Sequence, residues 1–61
     1  MTHARDGYLF YRVVTPQVAV EYELPKDVDR YSDSDAARWE ELQDTAERHG
    51  CAVEANPYST L

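Results

Sequence analysis

Residues 17–24 read Gln-Val-Ala-Val-Glu-Tyr-Glu-Leu, with Val18, Val20, Tyr22 and Leu24 on one side and Gln17, Ala19, Glu21 and Glu23 on the other. A period of two belongs to a half-buried strand, because successive side chains of an extended chain point to opposite faces. The segment before it, Tyr-Leu-Phe-Tyr-Arg-Val-Val at 8–14, is built from the aromatic and β-branched residues that fill strands. Between the two stands Pro16, which presets its own φ and brings no N–H to a ladder. With the turn at Thr15-Pro16, Val13 is expected opposite Val18, Tyr11 opposite Val20 and Leu9 opposite Tyr22, so that one face is uniformly apolar. A slip of one residue would turn Glu21 and Glu23 inward, and the pattern therefore sets the parity of the pairing. The same register gathers Tyr8, Phe10, Arg12 and Val14 on the second face beside Glu21 and Glu23, with Arg12 diagonal to Glu21. A face both aromatic and acidic suits contact with a partner better than contact with water alone.

The remaining punctuation predicts one helix and one more strand. Residues 1–7 read as a short frayed arm ending at Gly7, and Pro25 closes the second strand before a charged connection over 26–31. Ser32, Asp33 and Ser34 are each competent N-caps, and Ser32 with Asp35 makes an imperfect capping box. Ala36, Trp39, Leu42, Ala46 and His49 then recur at steps of three and four, a narrow apolar stripe anchored by Trp39. Arg48 and His49 suit the negative pole of the helix, Asp44 and Arg48 form an i,i+4 pair, and Gly50 supplies a left-handed stop. Cys51, Val53 and Ala55 share a face of a third strand, which Asn56-Pro57 ends, leaving residues 56–61 as a tail. The expected fold is a small α+β domain of topology β-β-α-β. Strand one alone is apolar on both sides and belongs in the middle, giving the sheet order 2-1-3 with one helix on one face.

Size and charge narrow the function. Sixty-one residues make one small domain over 1–61. A core of this size yields only about 3–5 kcal/mol, and a single cysteine excludes an internal disulfide, so good packing, a partner chain or a homodimer must supply the rest. Twelve carboxylates against six basic side chains give a net charge of −6. Phosphate backbones and anionic membrane surfaces repel such a chain, so no direct nucleic-acid or membrane binding is expected. An acidic chain suits a basic partner, including the nucleic-acid-binding surface of a larger protein, although acidity also serves solubility alone. No stretch resembles a signal peptide or a membrane span, and an unpaired Cys51 fits a reducing compartment; the expected location is cytoplasmic.

Catalytic and metal chemistry find little support. His49, Cys51 and Glu54, with His3, hold one cysteine and no second ligand pair, whereas structural zinc sites pair two clusters. A nucleophilic Cys51 would need a base held beside it, and His49 lies only two residues away across Gly50. No phosphate loop or nucleophile elbow is present, so neither an enzyme nor a cofactor is expected. The acids are better organised. Asp33, Glu40, Asp44 and Glu47 fall with Ala37 at steps of four, three, four and three, an acidic stripe along one helix face. Like charges at i,i+4 cost a few tenths of a kcal/mol (~0.2–0.5), so helix stability does not account for the stripe. The expected function is protein binding: an acidic inhibitor or antagonist of the kind mobile elements encode, imitating nucleic-acid phosphates to block a basic surface. Its partner-binding residues would be Asp33, Glu40, Asp44 and Glu47 with Tyr8, Phe10, Arg12, Glu21 and Glu23. The alternatives are a homodimeric structural or accessory subunit and, behind it, a small metal or redox protein centred on Cys51 and His49.

Overall fold

The computed structural model describes residues 2–59. Three strands, β1 (Tyr8–Val14), β2 (Ala19–Pro25) and β3 (Glu54–Asn56), and one helix, α1 (Asp33–Arg48), follow in the chain order β1, β2, α1, β3. The sheet is antiparallel throughout and has the expected order β2-β1-β3, with β1 in the centre.

The hairpin keeps the expected parity but not the expected register. Val13 pairs with Val20, Tyr11 with Tyr22 and Leu9 with Leu24, a slip of two residues. The cause is the turn. The Thr15 hydroxyl accepts hydrogen bonds from the backbone N–H groups of Gln17 and Val18, both at 3.1 Å, and Thr15 N–H donates to the Val18 carbonyl at 2.7 Å. Gln17 and Val18 are thereby spent on a four-residue loop, and β2 begins at Ala19. A slip of two leaves every side chain on its own face, which is why the alternation survives it.

The core forms where that face meets α1. Val13, Leu24, Leu42 and Ala46 are buried, and Tyr11, Val20, Tyr22, Tyr31, Trp39 and Val53 pack around them half-buried. Trp39 meets the Tyr11 ring edge-on, with centroids 5.3 Å apart at 77°. The helix starts where its punctuation predicts: Ser32 Oγ accepts from Asp35 N–H while the Asp35 carboxylate accepts from Ser32 N–H, a complete capping box. It ends in a Schellman motif. Gly50, at φ 66°, donates to the Glu47 carbonyl at 3.2 Å, and Cys51 N–H reaches back to the Ala46 carbonyl at 2.9 Å. That second bond holds Cys51 at the helix end, so the third strand is three residues long instead of the five its alternation suggested. Cys51 is exposed, and Val53 alone of the preceding pair reaches the core.

The two ends of the described chain run together. Ala4 N–H donates to the Pro57 carbonyl and Ser59 N–H to the Thr2 carbonyl, each at 2.8 Å, with His3 and Tyr58 bridged between them. The arm expected to fray is thus paired with the tail over these residues; Met1, Thr60 and Leu61 lie outside the described residues.

With so few buried side chains, one truncation carries much of the stability. Leu42→Ala should cost about 2–5 kcal/mol, comparable to what a domain of this size has to lose. Circular dichroism should show it largely unfolded at a temperature where the parent is folded.

Candidate interaction surface

Residues of the two sheet faces and the helix separate into two electrostatic environments. On the second face of the sheet, β1 and β2 place Arg12 and Glu21 directly opposite one another, not diagonally, because of the two-residue slip. Their side chains are 6% and 7% exposed, and Arg12 Nε lies 3.4 Å from Glu21 Oε2. The C-terminal segment crosses above them: Arg12 Nη2 donates to the Tyr58 carbonyl at 2.9 Å, and the Ser59 hydroxyl donates to Glu21 Oε1. The arm covers the next part of the same face. Arg5 holds the Glu23 carboxylate through Nε and through its backbone N–H, both at 3.0 Å, and its guanidinium lies 4.0 Å from the centre of the Tyr8 ring. Tyr8 and Phe10 are half-buried, whereas Val14 is 54% exposed at the hairpin end. Of the residues assigned to partner contact from sequence, Arg12 and Glu21 therefore lie beneath the tail and Glu23 is engaged by Arg5.

The helix carries the other environment. Of its six carboxylates, three are engaged within the fold: Asp35 in the capping box, Glu41 by the Tyr22 hydroxyl at 2.7 Å, and Asp44 by Arg48 at 2.9 Å. Asp33, Glu40 and Glu47 make no hydrogen bond or ion pair among the described residues and are exposed. At about 100° per residue, Asp33, Glu40, Asp44 and Glu47 fall within roughly one quarter of the helix circumference, nearly opposite buried Leu42 and Ala46. Over the fourteen residue steps from Asp33 to Glu47 the stripe extends about 21 Å at 1.5 Å per step. The sequence brings these four together on one face as expected, and separates them from Tyr8, Phe10, Arg12, Glu21 and Glu23, which belong to the far side of the sheet.

A shallow, open groove of mixed polar and apolar lining, which the residue pattern did not suggest, runs along the flank of this stripe. It has a volume of about 540 Å³ and is lined by Trp39, Gln43, Ala46, Glu47, Cys51 and Val53. It exists because the Schellman turn carries residues 51–53 past the helix before β3 begins. The only signal for it in the sequence was the Gly50-Cys51 punctuation.

Two tyrosines have displaced titrations. Tyr22 is pushed above its ordinary value of 10.0, chiefly because its hydroxyl donates to Glu41, then through partial burial and the Glu41 charge, with Arg38 opposing. Tyr31 is raised by burial, and further by Tyr11 and Asp35. Among the described residues no group of three or more His, Cys, Asp or Glu could hold a metal ion, and no helix is long and apolar enough to cross a membrane. No family model matches the chain, and no match arises among curated proteins or solved structures.

Two measurements check the two environments. Glu21→Ala strips a buried arginine of its carboxylate and should cost about 3–5 kcal/mol, whereas Glu23→Ala removes a pair whose arginine is 65% exposed and should cost at most about 1 kcal/mol; urea unfolding of both variants would show the difference. The neutral Tyr22 phenol is the form that the fold favours. Its stabilisation is complete below pH 10 and is lost as pH rises through its raised folded value. Tyrosinate absorbance should report a late-titrating group that Glu41→Gln brings back toward the ordinary range.

Proposed function

We propose that this chain is a protein-binding domain, an inhibitor or antagonist that sets the exposed acidic face of α1 against a basic surface of a larger, nucleic-acid-binding protein. The observation that carries it is the unequal treatment of the carboxylates. On the hairpin, Glu21 and Glu23 are each met by an arginine, Arg12 and Arg5, while among the described residues Asp33, Glu40 and Glu47 stand unneutralised on one helix face, and Glu54 stands so on β3. Of the five arginines of the chain, Arg48 alone reaches the stripe among the described residues, at Asp44. A field of one sign on one side steers an oppositely charged partner and speeds encounter. The mode is imitation of phosphate charge, acting in the reducing cytoplasm, where an exposed free Cys51 is compatible with a single-chain protein; a mobile element is a natural source for such an antagonist.

A homodimeric accessory subunit is the second reading. It is favoured by the smallness of the buried apolar core among the described residues, Val13, Leu24, Leu42 and Ala46, and by the exposure of Val14. One variant separates the two. Lysine at Glu40, Asp44 and Glu47 together should abolish salt-sensitive retention of the protein on a basic partner and leave its mass by light scattering unchanged. Retention that survives the triple reversal would refute the acidic-face reading.

A further inference from the structure

The groove beside the acidic stripe has features that neither the hydrophobic core nor the charge pattern requires. The helix lies over β1 and β2, so its flank toward residues 51–53 is left without a covering strand. Its floor is apolar, made by half-buried Trp39 and Val53 and buried Ala46. Its helical wall is Gln43 and Glu47, and those same two residues border the acidic surface formed with Ala37, Glu40, Glu41 and Asp44. A shallow, open depression with an apolar floor and a run of carboxylates thus share one wall. Whatever the carboxylates attract is brought to the mouth of the groove.

We infer that the groove is an anchor site for one aliphatic or aromatic side chain of a basic segment, whose flanking arginines or lysines lie along Glu40, Asp44 and Glu47. Charge complementarity selects this occupant. A second copy of this chain carries a net charge of −6 and meets the stripe with repulsion. An uncharged apolar segment gains nothing from the wall. The inference rests on the acidic-face reading and adds to it the residue class that fixes the partner in place. It also gives Trp39, the single tryptophan of the chain, a second use, since it both packs against Tyr11 in a T-shaped contact and lines the groove.

Trp39 fluorescence provides the test. Two synthetic peptides of equal charge are titrated, one with leucine between two pairs of arginines and one with serine in its place. Binding of the leucine peptide should be about tenfold tighter, as burial of much of one aliphatic side chain gives, and should shift Trp39 emission. The difference should persist at high salt while both affinities fall. A neutral maleimide adduct on Cys51, which is exposed and lines the groove, should fill it without changing a charge and remove the leucine advantage; circular dichroism of the adduct confirms that the fold is retained. Equal binding of the two peptides, lost together as salt rises, would overturn the anchor and leave the acidic-face reading standing. Binding of neither peptide would overturn both.

Discussion

The pairing of Arg12 with Glu21 organises more of this molecule than any contact in the apolar core. Both side chains are almost wholly removed from water, and a charge removed from water is tolerated only when paired and hydrogen-bonded. That condition reaches three separate parts of the chain. It suits the register in which β1 and β2 set residue 12 directly opposite residue 21, so that the two charges are buried together. It requires the C-terminal segment to lie across the sheet, where the Tyr58 carbonyl and the Ser59 hydroxyl complete the site. Through that segment it reaches the arm, whose residues 2–4 are bonded to residues 57–59. Alternation of apolar residues settles the parity of the hairpin but is indifferent to slips of two. The Thr15 turn picks among those slips, and the buried pair of Arg12 with Glu21 fits the register it sets.

This also explains how much could be read beforehand. The strand-strand-helix-strand order, the central place of β1 and the cap at Ser32 were legible because each depends on local chemistry: period, proline position and a hydroxyl three residues from a carboxylate. The register was not, because it turned on the Thr15 hydroxyl accepting two backbone hydrogen bonds, and composition gives no sign of which threonine will do so. The length of β3 was lost to the same kind of competition, with Cys51 taken by the helix cap before a strand could claim it. The face beside Tyr8 and Phe10 was legible as aromatic and acidic but not as covered. Its cover comes from the two ends of the chain, whose short polar sequences carry no period by which to recognise them.

Once that face is accounted for, the charge distribution acquires a direction. Arg5 and Arg12 neutralise the carboxylates of the hairpin, Arg38 serves Asp35 at the start of the helix, and Arg48 serves Asp44 near its end. The carboxylates left over on α1 are Asp33, Glu40 and Glu47, all on the side away from the core. Part of the excess of negative charge is therefore presented from one side of one helix, the rest standing at Asp6, Asp27, Asp29, Glu41 and Glu54.

Magnitudes then limit what that side can accomplish by charge alone. Duplex DNA carries one charge per about 1.7 Å of axis, and its partners draw affinity from the counterions released along it. Four carboxylates over about 21 Å amount to one per about 5 Å, a line of charge roughly three times as sparse. Exposed pairs formed along such a line are worth at most about 1 kcal/mol each and are screened beyond about 8 Å at physiological salt. A stripe of this density speeds encounter and sets orientation, but it leaves little to slow departure. For a chain this small, residence has to come from surface that excludes water. With the aromatic side of the sheet beneath the arm and tail, the apolar surface nearest the stripe is the groove that Trp39, Ala46 and Val53 line along its wall.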